Sequence, residues 1–365
     1  MNKNQDLKYT SLYNDHRKLN AKMVSYAGYM MPVNYKNGIH FEYNAVREKV
    51  GIFDVSHMGQ IKVSGKNSLK YLQYLTINDV SLINSGEAQY NAICNRLGGI
   101  KDDIIIYNVD NNYILIVNAS NYEKIFNWMN ECNTFNCDIS GKSEHLSLVA
   151  LQGPKSRGIL NKLIKENINL DFYKHRKIKF NNVKILISRT GYTGELGFEI
   201  LGDNKTILDI WTNLISLGAS PCGLAVRDIL RMEMKYCLYG NDINEETTPL
   251  EAGLNWIVKL SKNDFIGKNI LIKQRDKGIK KKLIAFKMLD KCIPRRGYKI
   301  FHENKIIGEV TSGTFSLGLE VGIGIGYVNQ GHSNVNNKIF LEIRGKKNIG
   351  KIIKPPFIKS YSLYD

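Results

Sequence analysis

The stretch Gly98-Gly99-Ile100-Lys101-Asp102-Asp103-Ile104-Ile105-Ile106-Tyr107-Asn108-Val109 is followed by Asp110-Asn111-Asn112 and then by Tyr113-Ile114-Leu115-Ile116-Val117-Asn118. β-Branched and aromatic residues dominate both arms, and the break between them is turn chemistry, so the stretch predicts a β-hairpin. Period-two alternation sets Asp103, Ile105 and Tyr107 on one face and Asp102, Ile104 and Ile106 on the other. One acid must face inward if the other faces water. A buried carboxylate without a partner costs several kcal/mol or takes up a proton, so an inward acid flanked by Ile and Tyr suggests a ligand-binding surface. The structural alternative is an Asp pair at a fraying strand start.

A second hairpin is expected from Val183 to Arg189, through Gly191-Tyr192-Thr193-Gly194, and back along Phe198-Glu199-Ile200-Leu201. Glu199 falls on the face opposite Phe198 and Ile200. A carboxylate beside an aromatic residue suits a flat heterocycle: a pterin presents a ring N–H and an amino group side by side, and a carboxylate accepts both in a planar fork. Arg227 and Arg231 are one helical turn apart and share a face that reaches a carboxylate or carbonyl, or else they form a surface ion-pair ladder with Asp228 and Glu233.

Around these hairpins the pattern is α+β, without any repeat period. Ile207, Ile210, Trp211, Leu214 and Ile215 recur at helical spacing, Ser120 and Glu123 have capping-box spacing ahead of Ile125, and Pro154 stands at a helix start. The charged run from Arg275 to Lys282 reads as a solvated linker, followed by short strands separated by Gly and Asn. The chain therefore divides into a region 1–275 and an all-β module 276–365.

The 365 residues, 43% of them hydrophobic, suffice for two or three cored domains. Without about 18 consecutive apolar residues or a signal core, neither a membrane span nor an export signal is expected. Six cysteines with no C-x-x-C pair suit a reducing compartment and offer no metal-ligand spacing, so a cytoplasmic, metal-free protein is expected. The net charge of +17 signals nucleic acid, a membrane surface or an acidic protein partner, unless biased nucleotide composition produced it. Lys277 to Lys282 contains no aromatic residue to stack a base, which speaks against nucleic acid.

Several motif matches fail on chemistry. Gly345 to Lys351 lacks the P-loop Ser or Thr, with Ile352 in its place and Pro355-Pro356 beyond. Gly322, Gly324 and Gly326 precede no helix and read as close strand packing. Asp54, Ser56 and His57 are too close along an extended segment to converge as a triad. Asn118-Ala119-Ser120 fits a glycosylation sequon, which carries no meaning in the cytoplasm.

Further landmarks are Met30-Met31-Pro32, Gly51-Ile52-Phe53-Asp54-Val55-Ser56-His57-Met58 and Leu151-Gln152-Gly153-Pro154. Downstream come Ser188-Arg189-Thr190-Gly191-Tyr192-Thr193-Gly194-Glu195, Gly223-Leu224-Ala225-Val226-Arg227-Asp228, Leu238-Tyr239-Gly240 and Thr311-Ser312-Gly313-Thr314-Phe315-Ser316. With Gly98 to Asp103, this series resembles, from about residue 8 to 360, the T-protein family of the glycine cleavage system. Leu317 and Met232 depart from the family pattern, which often has Pro and Leu there.

The resemblance implies two intertwined α+β lobes and a C-terminal β-barrel arranged as three lobes around a central channel. It implies an aminomethyltransferase that moves the methylene carbon of an aminomethyl group from the lipoyl arm of H-protein to tetrahydrofolate, releasing ammonia. By motif position Asp103 corresponds to the essential aspartate. Glu199 and Arg227 correspond to folate-anchoring residues, and Tyr90, Tyr107, Asn118, Tyr173 and Tyr192 to folate-lining positions, with Met58 and Ile105 beside them. Tyr361 is a further candidate to close the pocket. Asp102, on the opposite strand face, is expected to be dispensable. The rivals are an iron-sulfur assembly or repair protein of the same fold, whose K-x-C-Y-x-G-Q-E signature Lys235 to Asp242 only partly echoes, and a sarcosine- or dimethylglycine-type demethylase half. A basic nucleic-acid-binding module is the rival from another class.

Overall fold

The first hairpin forms as Ile100–Val109 and Asn112–Val117, joined by Asp110 and Asn111 at φ values of 56° and 60°. Two consecutive left-handed residues match the twist of a tight hairpin, and Asp and Asn tolerate that conformation better than most side chains. The computed structural model describes residues 7–141, 144–360 and 362–365. Tyr361 therefore lies outside the described residues.

The hairpin is the middle of a five-stranded antiparallel sheet, in the order Ala88–Cys94, Ile100–Val109, Asn112–Val117, Gly59–Ser64, Asp138–Gly141. One face carries helices Ser68–Leu75 and Tyr122–Glu131, whose Tyr71, Leu72, Leu75, Ile125 and Met129 pack with Ile104 and Ile106 of the hairpin. A second, six-stranded sheet runs His175–Phe180, Val183–Ser188, Gly197–Asp203, Leu146–Gln152, Gly51–Asp54, Ser220–Pro221. Phe198 and Ile200 lie in its outer core with helices Ser156–Ile164 and Asn204–Ser216. Its other face, with Phe53, Val55, Leu148, Leu186 and Leu201, meets Tyr107, Val109 and Ile116 of the first sheet. The chain visits the second sheet at Gly51–Asp54, builds the first, and returns at Leu146, so the two lobes are interwoven. A small sheet of Lys8–Tyr9, Tyr29–Asn34 and Lys22–Tyr26 flanks them.

From Lys281 six strands close into a barrel, in the order Lys281–Met288, Val321–Asn329, Lys305–Ser316, Lys299–His302, Lys338–Ile343, Lys346–Ile353. A Cβ added at Gly324 would lie 2.2 Å from the Phe286 ring, and one at Gly322 2.1 Å from the Cys292 carbonyl. Close strand packing is thus the role of this glycine series.

Three local expectations need correction. The run Arg275 to Lys282 is not a linker throughout, because Lys268–Lys277 is one helix and strand begins at Lys281. The capping box does not form: a 3-10 turn at Ala119–Asn121 precedes the helix, and its N-cap residue Asn121 makes no side-chain cap. That amide is engaged at the site described below. Pro154 lies in the turn before Ser156–Ile164 rather than in its first helical turn.

Candidate functional site

The period-two register of the first hairpin holds, but the choice between an inward acid and a solvated one does not arise. Ile100–Val109 is an interior strand covered by helices on one face and by the second sheet on the other, so neither acid is fully solvated. Asp102 is fully buried on the helix side. Its carboxylate accepts from Asn118 N at 2.9 Å, Asn118 Nδ2 at 2.8 Å and Asn121 Nδ2 at 2.6 Å. Asp103 is part-buried on the side facing the second sheet. Its Oδ2 accepts from Tyr90 Oη at 3.0 Å and its Oδ1 from Asn118 Nδ2 at 2.9 Å. Burial raises both carboxyls above the usual carboxylate range, that of Asp102 to about 8 with the Asp103 charge adding to the effect.

Local backbone chemistry sets this strand in place. A Cβ at Gly99 would lie 1.8 Å from the Glu245 carbonyl oxygen, so only glycine admits the approach of the 244–247 loop. Ile100 N then donates to both Asn244 O and Thr247 O, starting the strand that carries the two acids.

Glu199 projects from Gly197–Asp203 on the face shared with Leu201, toward the first sheet. Tyr107 Oη donates to its Oε2 at 3.4 Å, and Thr190 Oγ1 makes a short hydrogen bond to the same oxygen. Both recorded donors reach Oε2. Burial raises the Glu199 carboxyl, while Thr190, the Arg227 guanidinium and Tyr107 oppose that rise. The Tyr107 hydroxyl also lies 3.2 Å from Thr190 Oγ1 and 3.4 Å from Ser188 Oγ.

Arg227 and Arg231, expected to act on one face, have different fates. The Arg227 guanidinium sits 4.5 Å from the centroid of the Tyr192 ring, a cation–π contact. Tyr192 in turn stacks on Tyr236 at 5.6 Å and donates its hydroxyl to the Cys237 carbonyl. Arg231 is 1% exposed and committed to structure: Nη1 reaches Asp242 Oδ2 at 2.7 Å, Nη2 donates to Ser312 Oγ at 3.0 Å, and Nε pairs with Asp228 at 2.8 Å. Glu233 belongs to no surface ladder. It is buried and holds Arg47 and the Tyr43 and Ser316 hydroxyls.

The remaining candidates line the seam between the sheets. Met58, Ile105 and Tyr173 are part-buried against the same cluster as Tyr107. Tyr173 has φ 63°, and its carbonyl accepts from Ala88 N at 2.8 Å while its own N–H donates to Arg189 O, which ties the two sheets together there. Hydrogen bonds thus unite Tyr90, Asp103 and Asn118 in one group and Tyr107 with Glu199 in another, while Arg227 and Tyr192 pair through the ring face. Asp54, Ser56 and His57 form no triad: Asp54 accepts from Ser56 N at 2.9 Å and Thr10 Oγ1 at 2.7 Å and lies 2.9 Å from His16 Nε2, the Ser56 hydroxyl donates to Leu148 O at 3.1 Å, and burial lowers the His57 pKa to about 4.

Sequence reasoning missed Asn121, Thr190, Asp242 and Trp256. Thr190 lay inside a quoted landmark and follows Ser188 by two residues on the Glu199 side, which was a usable signal. Trp256 is exposed and stacks on Tyr90 at 5.8 Å from a distant segment, for which the sequence carries no local signal. Among the described residues no group of three or more His, Cys, Asp or Glu side chains is placed to hold a metal ion.

Comparison with known proteins adds identity to this geometry. The GCVT N-terminal domain family matches residues 12–262, and the glycine cleavage T-protein C-terminal barrel domain family matches residues 281–359. The aminomethyltransferase of Flavobacterium psychrophilum is 45% identical over 97% of this chain and 100% of its own. That of Halothermothrix orenii is 42% identical over 96% and 100%. The crystal structure of glycine cleavage system aminomethyltransferase T from Bartonella henselae superposes with a TM-score of 0.92 at 31% identity, covering 97% of this chain and 99% of that one. With both halves matched and relatives aligned nearly end to end, the chain belongs to the glycine cleavage T-protein family, the aminomethyltransferases.

Proposed function

We propose that this aminomethyltransferase uses Asp103 to move the methylene carbon of an aminomethyl group, carried on the lipoyl arm of H-protein, to tetrahydrofolate. The observation that carries the reading is a part-buried carboxylate facing the seam between the lobes, held by Tyr90 and Asn118 rather than by a cation. An ion-paired aspartate has its charge already neutralised. Asp103 keeps its charge for positive charge that develops as the amine leaves, and its proton affinity for the proton released when the folate ring closes. In balance, the N5 and N10 protons of folate leave with the lipoyl sulfur and the amine, giving ammonia, the dihydrolipoyl arm and 5,10-methylenetetrahydrofolate.

Glu199 fits a pterin edge because its protein donors gather on one oxygen, and the carboxylate as a whole accepts from paired N–H groups. Arg227, fixed on the Tyr192 ring, supplies a donor for a carbonyl or carboxylate. Tyr107, Tyr173, Met58 and Ile105 supply flat and apolar walls. The reading includes a cytoplasmic location, supported by six unpaired cysteines of which five are buried, and needs no metal, nucleic acid or membrane partner. Asp103→Asn tests it. Turnover to ammonia and methylenetetrahydrofolate should fall roughly 10²- to 10⁴-fold. The tetrahydrofolate dissociation constant should change less than about tenfold, or 1.4 kcal/mol. Retention of more than about a tenth of wild-type turnover removes Asp103 from the chemistry.

A further inference from the structure

The two acids of the hairpin share one amide. Asn118 Nδ2 donates to Asp102 Oδ1 at 2.8 Å and to Asp103 Oδ1 at 2.9 Å, so its two hydrogens span the carboxylates. Asn118 N and Asn121 Nδ2 complete the grip on Asp102 from behind. Asn121 occupies the N-cap position of Tyr122–Glu131, yet its side chain turns to Asp102 instead of capping. We propose that Asp102 is a positioning residue for the reaction: through the Asn118 amide it fixes the Asp103 carboxylate and couples the ionisation of the two acids. The proposal rests on the reading of Asp103 as the group that meets the substrate.

Two like charges on one amide, in a buried site, do not ionise independently. Among the described residues neither carboxylate is ion-paired, and the groups facing them offer no relief. Tyr90, Tyr192, Tyr239 and Cys237 surround the pair with neutral hydroxyls and a thiol, and the Asp242 charge beyond them is paired with Arg231. The pair therefore retains a proton at pH values where free aspartates have none, and its upper step falls near the value of about 8 carried by Asp102. Three N–H donors favour the ionised form of Asp102, against the burial and the Asp103 charge that raise its carboxyl. When Asp102 loses its proton, the grip on Asn118 tightens, and the field at the substrate becomes more negative. Turnover should rise through that step.

The sign for stability is fixed by the same shift. A carboxyl raised from 3.8 to about 8 in the folded chain binds a proton that the unfolded chain releases between those values. Folding then weakens as pH rises across that window, up to about tenfold in the unfolding constant per pH unit for one proton. Asp102→Asn removes this contribution while nearly preserving shape.

The experiment compares wild type, Asp102→Asn and Asp103→Asn in pH–rate profiles and in urea unfolding from pH 5 to 9. The expected result for Asp102→Asn has three parts. At pH 8.5 kcat should fall by about 10- to 100-fold, the effect of a small displacement of a reacting group, with KM for tetrahydrofolate within about threefold. The rise in rate near pH 8 should vanish. The ratio of wild-type to variant unfolding constants should grow by at least about threefold per pH unit between pH 5 and 7. A purely structural Asp102 would show the same growth in this ratio but leave kcat and the rate rise near pH 8 in place, and that result overturns the proposal, as does a flat ratio. Should Asp103→Asn stay active, the reading of Asp103 fails instead, and an Asp102→Asn profile that keeps the rise near pH 8 beside a dead Asp103→Asn rejects the coupling alone. If Asp102→Asn does not fold, ¹³C carboxyl titration of wild type decides: two aspartates that each titrate in two shared steps uphold the coupling, and two independent single steps overturn it.

Discussion

Replacing Glu199 by Gln isolates the contribution of one negative charge to ligand binding. Both recorded protein contacts of the carboxylate are hydroxyl donors, Thr190 Oγ1 and Tyr107 Oη, and a hydroxyl rotates to accept from an amide as readily as it donates to an oxygen. The fold should hardly register the change. The ligand should, because a pterin edge offers only donors, and an amide presents one oxygen where the carboxylate presented two. A hydrogen bond to a charged group contributes about 1.5 to 3 kcal/mol, so the tetrahydrofolate dissociation constant should rise roughly 10- to 150-fold. Calorimetry on both proteins measures it, with thermal unfolding as the control. Because burial raises the wild-type carboxyl and the charged form is the one that binds, wild-type affinity should fall as pH drops through that raised value. The Gln variant should lack this slope. Affinity within twofold of wild type, in a variant that unfolds normally, would remove Glu199 from the site.

Arg47→Met should destabilise the chain by about 3 to 5 kcal/mol in urea unfolding, because Glu195 and Glu233 would be left buried without the cation that now pairs with both. A loss below about 1 kcal/mol would mean that water reaches those acids. If part of the +17 charge steers an acidic H-protein, parallel titrations should show its apparent affinity falling as salt rises while tetrahydrofolate binding changes much less. Equal slopes, or none for H-protein, would assign the charge to composition.

Both site hairpins could be read from sequence because their signals are local. Alternating β-branched residues and an Asp-Asn turn set the strand, its period and the opposition of Asp102 to Asp103, and the second hairpin likewise put Glu199 opposite Phe198 and Ile200. The all-β character of the C-terminal module was visible in its short strands and alternating glycines for the same reason. What covers each strand face is not a local property. Asp102 is buried because helices Ser68–Leu75 and Tyr122–Glu131 roof one side of its sheet, and Asp103 lies on the other face, beside Tyr90 and the segment that carries Cys237 and Asp242. Arg227 and Arg231 are four residues apart on one helix and alike in sequence. Asp242 and Ser312, the latter from the barrel, bury the second arginine and leave the first over Tyr192. The failed capping box has the same cause: the spacing of Ser120 and Glu123 was right, but a 3-10 turn put Asn121 instead of Ser120 at the cap. Backbone period and turn type depend on neighbours along the chain. Burial, pairing and the proton affinity of an acid depend on neighbours across it, and those were decided only when the three lobes packed.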